Sequence, residues 1–390
     1  MTAESASARR PWLVLAGCFL VSTGFNAYLF APASIISLFV EAFGIDKPTA
    51  GLSISVVFLG WVVFQLPSGL LMDRYDNRML VYAGSVVFVA AALAGPFAPT
   101  YPTFLATRFV GGATAVFLWT ANANIVAQSF PRARRALGTS LFVTSAPAGV
   151  TLAQAAGPSL QAVVGWRGVV AVYAVVTVVG LVPFTWALDA PVQNESALSL
   201  SGFAAALRDR RVLAIAASSF CAYSLFVFFN SWMPTYAAEA VGVDIGTAGA
   251  LAAIVPAMGL LARPGGGWLS DRIGGRRRPV IVAAFVLVVP ALVAAAVATS
   301  VAWLAVALLL AGVGSQLGTG VFYVYVEEVS PAGSGGTSLA VLMTLSIGGS
   351  LAAPVVAGWL VDVASWSAAF GFGGVLAVAG VAAVATLSEA

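Results

Sequence analysis

The chain has 390 residues, of which 60% are hydrophobic and only 8% are charged, and its formal net charge is +3. Soluble domains carry about 25% charged residues, so this composition excludes an ordinary soluble enzyme and indicates a membrane protein. Histidine is absent, which removes the commonest proton shuttle and metal ligand. The scattered arginines form no basic patch for nucleic acid.

Apolar segments long enough to cross a bilayer, which takes about 20 residues, recur along the chain. In chain order they lie at roughly 11–40, 49–71, 79–97, 101–129, 136–164, 168–188, 212–238, 246–269, 279–299, 302–326, 336–361 and 367–387. We therefore predict an all-α polytopic membrane protein with twelve transmembrane helices in two pseudo-symmetric six-helix bundles. The predicted domains are an N-terminal bundle at 1–190, a cytoplasmic central loop at 191–211 and a C-terminal bundle at 212–390.

Positive residues are divided unevenly between alternate loops. One set of loops holds only Lys47 and Arg167, whereas the N-terminus and the other set hold fourteen arginines, among them the run Arg276, Arg277 and Arg278. Cytoplasmic loops carry an excess of Lys and Arg. The bias therefore predicts a multi-pass protein of the cell membrane with both termini in the cytoplasm.

An internal repeat is visible at an offset of 198 residues. The segment Gly44-Ile45-Asp46 falls on Gly242-Val243-Asp244, and Gly138-Thr139-Ser140 falls on Gly336-Thr337-Ser338. One offset that holds across separate loops indicates two homologous halves. Such repeats place a binding site between the halves, near the middle of the membrane.

Two loops at mirrored positions carry a shared motif. The first is Gly69-Leu-Leu-Met-Asp73-Arg74, and the second is Gly267-Trp-Leu-Ser-Asp271-Arg272-Ile-Gly-Gly-Arg276. These loops resemble the G-x-L-x-D-R-x-G-R-[RK] motif of the major facilitator superfamily, although Asp76 and Asn77 depart from it. The resemblance implies the fold of that superfamily and a gating or structural role for these residues, in which the glycines permit close helix packing and Glu328 pairs with a motif arginine.

Two arginines, Arg108 and Arg263, lie inside predicted spans, where a charge is costly and marks function by default. Arg263 is eight residues before Asp271, which places it about 12 Å from the membrane edge and close to the midplane. Its repeat mate is Gln65, eight residues before Asp73. We expect Gln65 and Arg263 to face a shared central cavity.

The residues around Arg263 resemble two branches of the superfamily. Ala262-Arg263-Pro264 and Asn230-Ser-Trp232-Met-Pro234 are similar to segments of nitrate/nitrite–cyanate porters and of monocarboxylate/oxalate carriers. Gln65 and Gly259 stand where members of these branches carry an arginine and an aspartate. The resemblance implies an anionic substrate bound by Arg263, because guanidinium pairs bidentately with carboxylate or nitrate.

Further polar and aromatic residues in the spans are candidates for the same site. The predicted substrate-binding residues are Arg263, Gln65, Arg108, Asn26, Tyr28, Trp119, Asn230, Trp232, Gln316 and Tyr323. Each has an alternative structural role. Arg263 could bond carbonyls freed by Pro264, Arg108 could brace the first span, and the others could pack between helices.

These features favour a secondary transporter that exchanges small anions, nitrate-like or carboxylate, by alternating access. The alternative is a proton-driven exporter or importer of a neutral or amphipathic molecule, which usually requires a carboxylate buried in the membrane. We predict no enzymatic activity, no cofactor and no metal. The expected partners are a small anion and the lipid bilayer, and we expect a monomer that binds no nucleic acid.

Overall fold

A computed structural model describes residues 3–131, 134–188, 191–192, 206–330, 335–385 and 387. In this part of the chain, ten helices are long and apolar enough to cross a membrane. They are α1 (Pro11–Phe43), α2 (Lys47–Met72), α3 (Asn77–Phe97), α4 (Tyr101–Ser129), α7 (Arg210–Val241), α8 (Ile245–Arg272), α9 (Arg278–Ala296), α10 (Val301–Val329), α11 (Gly336–Val363) and α12 (Trp366–Ala385). Most of the predicted central loop, 193–205, lies outside the described residues.

The fifth and sixth predicted spans form one bent unit, Leu137–Val172 followed by Ala174–Ala187, with 51° between its parts. A second break lies at Gly165, whose φ of 69° and ψ of 165° are not helical. Only glycine adopts this conformation readily. The break separates α5 (137–164) from α6 (166–187), and each is longer than the roughly 20 residues that a span requires. Because this unit divides at Gly165 into two spans, the described residues contain twelve helices long enough to cross a membrane.

The repeat is reproduced in the local geometry at the start of α2 and α8. Gly44 and Gly242 each end the preceding helix with a left-handed φ, 60° and 76°. Asp46 and Asp244 then cap the next helix, and each accepts a hydrogen bond from the backbone N–H of the threonine three residues later, at 2.9 and 3.1 Å. Hydrogen bonds from that threonine also lower the pKa of both carboxyl groups. The repeated residues therefore specify the same helix–turn–helix junction twice.

The apolar side chains form two large buried clusters. The first is built almost entirely from residues 14–187 and includes Phe88, Phe104 and Phe184. The second is built almost entirely from residues 206–387 and includes Phe228 and Phe285. Many other large apolar side chains are exposed on the outer faces of the helices, as expected for surfaces in contact with lipid.

The two halves contact each other at the Lys47 end of the molecule. Nζ of Lys47 lies 2.8 Å from Oε2 of Glu239, and the Lys47 backbone N–H donates to Asp362 Oδ2 at 3.1 Å. Closer to the middle of the spans, Nε2 of Gln154 on α5 donates to the carbonyl of Asn230 on α7 at 2.5 Å. Among the described residues, the polar contacts between the two halves are therefore found at the Lys47 end and near the middle of the spans.

Candidate functional site

A cavity lies between the two halves, and the empty space within it, part of which is open to solvent, is about 610 Å³. Four helices of the first half and four of the second contribute to its lining, which consists of Asn26, Leu29, Phe30, Phe58, Trp61, Trp119, Val143, Ala146, Val150, Tyr223, Phe226, Val227, Arg263, Tyr323, Met343, Ile347 and Ser350. The cavity therefore lies between the halves, where the repeat predicts a binding site.

Arg263 on α8 is the one ionised group among these lining residues. Its Nε donates to Oε1 of Gln316 on α10 at 2.8 Å, which fixes the plane of the guanidinium. In the described part of the chain no carboxylate pairs with Arg263, and its terminal N–H groups have no hydrogen-bond partner there. The ring of Phe226 lies 5.8 Å from the guanidinium carbon. The cation is thus oriented but not neutralised.

Two tyrosines lie beside this arginine. The hydroxyl oxygens of Tyr223 on α7 and Tyr323 on α10 are 2.6 Å apart, so the two groups share a hydrogen bond. Tyr323 was expected from the sequence, whereas Tyr223 was not. The signal for Tyr223 is its spacing, because it precedes Phe226 and Val227, which also line the cavity, by three and four residues and so lies on the same helix face.

Four of the ten predicted binding residues line the cavity: Asn26, Trp119, Arg263 and Tyr323. Gln316 lies behind Arg263, as described above. Gln65 is one helical turn beyond the lining residue Trp61, and its Oε1 accepts a hydrogen bond from the indole N–H of that tryptophan at 2.9 Å. The repeat mates Gln65 and Arg263 therefore do not present equivalent groups, and the expectation that both face the cavity is met only by Arg263.

Arg108 lies away from the cavity, contrary to the prediction that it binds substrate. Its side chain is fully buried, and it donates to the backbone carbonyls of Ser53, Tyr28 and Leu29 at 3.0, 2.7 and 2.7 Å. Pro32 stands where an α-helix would donate an N–H to the Tyr28 carbonyl, and proline has no N–H to donate. Arg108 therefore braces α1 and α2, which was the alternative role considered for it.

Tyr28, Asn230 and Trp232 are also absent from the cavity lining, and their side chains are buried inside the two halves. The Tyr28 ring lies against the Arg108 guanidinium, with its centroid 4.2 Å from the guanidinium carbon. Nδ2 of Asn230 donates to the Phe226 carbonyl, and Nε1 of Trp232 donates to the Pro354 carbonyl. The Tyr28 hydroxyl donates to the Thr107 carbonyl at 3.4 Å, so all three side chains bond to backbone carbonyls.

The second motif loop forms an ion-pair network around Arg277. Its guanidinium contacts Asp271 Oδ1 at 2.8 Å and Glu328 Oε1 at 2.9 Å. Glu328 thus pairs with an arginine of this loop, as expected, but not with Arg272 or Arg276. Arg272 stacks instead on Trp268, with 5.1 Å from its guanidinium carbon to the ring centroid.

The loop sequence explains why Arg277 pairs with Glu328 in place of Arg276. It reads Ile-Gly-Gly-Arg-Arg and has a second glycine, Gly275, where the motif has an arginine, so the pairing arginine lies one position beyond the end of the motif. Gly267 also differs from expectation, because a Cβ at this position would meet no atom within 4 Å. It therefore makes no close helix contact in this structure. Gly112 on α4 makes one instead, since a Cβ there would lie 2.0 Å from the Val57 carbonyl oxygen on α2.

The first motif loop is held by different residues. Arg78 pairs with Asp76 at 2.8 Å, and Asp76 Oδ1 also accepts from the backbone N–H of Val192 at 3.0 Å. Burial opposes ionisation of Asp76, but hydrogen bonds from Arg78 and Val192 outweigh it and lower the pKa of this carboxyl group. Gly69 and Arg74 belong to the preceding helix, Lys47–Arg74, and the side chain of Asp73 lies outside the described part of the structure.

The family model of the Major Facilitator Superfamily matches this chain over residues 15–353 and 215–389. The chain belongs to this superfamily. It is therefore a multi-pass membrane transporter and not an enzyme. Two probable galactarate/D-glucarate transporters named GudP are similar to it: the protein of Bacillus subtilis (strain 168) is 24% identical over 96% of this chain and 90% of its own length, and that of Pseudomonas putida is 25% identical over 92% and 87%.

Solved structures of other superfamily transporters share the fold. A bacterial homologue of the human lysosomal transporter Spinster, in an inward-facing and unoccupied conformation, aligns with a TM-score of 0.76 over 96% of this chain and 94% of its own. The same homologue in an inward-facing and occupied conformation gives a TM-score of 0.75. Sequence identity is 14 and 15%, so the similarity concerns the fold alone.

Proposed function

We propose that this transporter carries a small anion, held chiefly by Arg263, across the cell membrane by alternating access. The observation that carries the proposal is the guanidinium in the cavity, which Gln316 orients and which no carboxylate neutralises among the described residues. An unpaired charge at this depth is costly. An anion that enters and leaves the cavity supplies the missing partner through two parallel hydrogen bonds. The similar transporters named for galactarate and glucarate, which are dicarboxylates, support an anionic substrate.

In the proposed cycle the bundles 1–190 and 212–390 rock about the cavity, with both termini and the central loop 191–211 in the cytoplasm. Lys47 then lies at the outer face, and its contacts with Glu239 and Asp362 close that face. Opening to the outside separates Lys47 from both acids. Both walls of the cavity come from a single chain, which supports the proposal that the transporter works as a monomer.

Exchange of one anion for another is the proposed coupling. The cavity lining contains no carboxylate among the described residues, and the sequence contains no histidine, so an internal proton carrier is lacking there. Closure of an empty cavity would bury the Arg263 cation without a partner, which is strongly unfavourable. A transporter that returns with a second anion bound to Arg263 avoids that cost.

The test uses proteoliposomes preloaded with unlabelled anion, in which uptake of radiolabelled acetate, phenylacetate, D-glucarate or nitrate is followed at equal pH on both sides. We expect uptake of at least one anion to depend on internal anion. Arg263→Gln should abolish it, and Arg263→Lys should impair it because ammonium lacks the planar fork of donors. Arg167→Gln, which removes an exposed arginine outside the cavity, is the matched control. Uptake that needs an inward proton gradient and ignores internal anion would support the proton-driven alternative.

A further inference from the structure

The two walls of the cavity differ in chemistry. The second half supplies Arg263, the hydrogen-bonded hydroxyls of Tyr223 and Tyr323, and the hydroxyl of Ser350. The first half supplies nine residues, of which only Asn26 is polar. The second half also supplies four apolar residues, Phe226, Val227, Met343 and Ile347. A solute in this cavity therefore meets the charge and the hydroxyl groups on one side only, and an almost entirely apolar surface on the other.

The apolar wall is aromatic and rigid. Phe30 and Phe58 meet edge to face with 5.9 Å between ring centroids, and Trp61 and Trp119 are 6.4 Å apart. The indole N–H of Trp61 is bonded to Gln65, so its polar atom is satisfied and its ring carbons are left to contact a solute. Aromatic pairs of this kind favour planar or apolar groups beyond what area alone provides.

Charge limits the solute to one carboxylate. Arg263 is the one ionised residue in the described lining, so a second carboxylate would have no cation and would lie against the aromatic wall. Removal of a charge from water without a partner costs many kcal/mol, and each buried hydroxyl without a hydrogen bond costs roughly 1–3 kcal/mol in proteins. Polyhydroxylated dicarboxylates are therefore poor ligands for this cavity.

Volume argues against an inorganic anion. The empty space in the cavity, part of which is open to solvent, is about 610 Å³, whereas one water molecule occupies about 30 Å³ of the liquid. An ion such as nitrate, with four heavy atoms, fills only a small part of this space and contacts only the Arg263 wall. The aromatic wall would then remain wet and contribute nothing to binding.

We infer that the transported anion is a monocarboxylate with an apolar, preferably aromatic body. Its carboxylate pairs with Arg263 near the Tyr223–Tyr323 pair, and its body packs on Phe30, Phe58, Trp61 and Trp119. This inference rests on the proposed function, because it requires that Arg263 holds the anion. It goes further in excluding nitrate-like ions and sugar diacids as preferred substrates.

The test measures equilibrium binding to the purified full-length protein in detergent by calorimetry and by thermal stabilisation. The probes are phenylacetate, its uncharged analogue phenylacetamide, acetate, nitrate and D-glucarate. We expect phenylacetate to bind at least about tenfold more tightly than each of the others, because only it engages both walls. Arg263→Gln should remove phenylacetate binding, whereas Arg167→Gln should not.

A second variant isolates the aromatic wall. Trp119→Ala should weaken phenylacetate binding about tenfold and leave acetate binding unchanged, because acetate has no body to reach that wall. D-Glucarate or nitrate that binds as tightly as phenylacetate, and in an Arg263-dependent manner, overturns the inference but leaves the anion proposal intact. If phenylacetate and phenylacetamide bind equally and Arg263→Gln changes neither, or if no probe shows Arg263-dependent binding, both proposals are wrong.

Discussion

Replacement of Arg108 by methionine tests whether this intramembrane arginine is structural. The three backbone carbonyls that it caps are buried, and the carbonyl of Tyr28 has no α-helical donor because Pro32 stands four residues after it. A hydrogen bond to a charged group contributes roughly 1.5–3 kcal/mol, and each carbonyl left unsatisfied costs about 1–3 kcal/mol. We therefore expect Arg108→Met to lower the free energy of unfolding by about 3–6 kcal/mol.

The assay is a double-mutant cycle with Pro32→Ala, measured as denaturant- or heat-induced unfolding in detergent. Alanine restores a backbone N–H that can donate to the Tyr28 carbonyl. Arg108→Met should then cost about 1–2 kcal/mol less in the Pro32→Ala background than in the wild-type chain. Anion affinity at the cavity should be unchanged by Arg108→Met at temperatures where the variant is folded.

The reasoning would be refuted by an Arg108→Met variant that is as stable as the wild type but has lost anion affinity. Arg108 would then contact the solute in another conformation of the cycle. A coupling energy of zero with Pro32→Ala would show that the carbonyl freed by proline is not what Arg108 stabilises.

Three further predictions concern other contacts. Lys47→Glu should open the face that Lys47 and Glu239 close, and the charge swap Lys47→Glu with Glu239→Lys should restore closure. The ion pair is partly exposed, so its loss should destabilise the closed face by about 0.2–1 kcal/mol. Cysteine labelling of that face should then be a few-fold faster in Lys47→Glu than in the wild type. Gly112→Ala should lower the melting temperature by several degrees, whereas Gly267→Ala should not, because only the first Cβ meets backbone. Arg277→Gln should reduce stability by about 1–3 kcal/mol, measured by thermal unfolding, because it breaks two ion pairs at once.

The fold was largely predictable because the bilayer constrains each helix separately. Length, apolar composition and the repeat located the helices, since a span must satisfy its own backbone hydrogen bonds. The boundary between α5 and α6 was expected near Gly165, although the helical geometry there is interrupted at only one residue. The side-chain directions were less predictable, because matched depth in two halves does not imply matched orientation, as Gln65 and Arg263 show.

Errors in the candidate site have identifiable causes. Arg108 was taken as a binding residue because it lacks an acidic partner, but a guanidinium can also be satisfied by backbone carbonyls, one of which a proline leaves free. Pro32 is visible in the sequence, so this partner could have been anticipated. The role of Arg277 was missed because the extra glycine in its loop changes the spacing to Asp271. Of the aromatic wall only Trp119 was anticipated; Phe30, Phe58 and Trp61 were missed because they are separated in sequence and are ordinary residues for a buried helix face.

The divergence of the repeat inside the cavity has a consequence for how a solute would travel. Outside the cavity the two halves keep matching helix caps. The polar residues that line the cavity are not matched: at the offset of 198 residues, Arg263 corresponds to Gln65, Tyr223 to Phe25 and Tyr323 to Ile125. In the binding mode that we infer, opposite halves hold the two ends of the molecule, and its long axis would lie parallel to the membrane plane. Such a molecule presents the same edge to either aqueous side, and it need not turn over while the path in front of it closes and the path behind it opens.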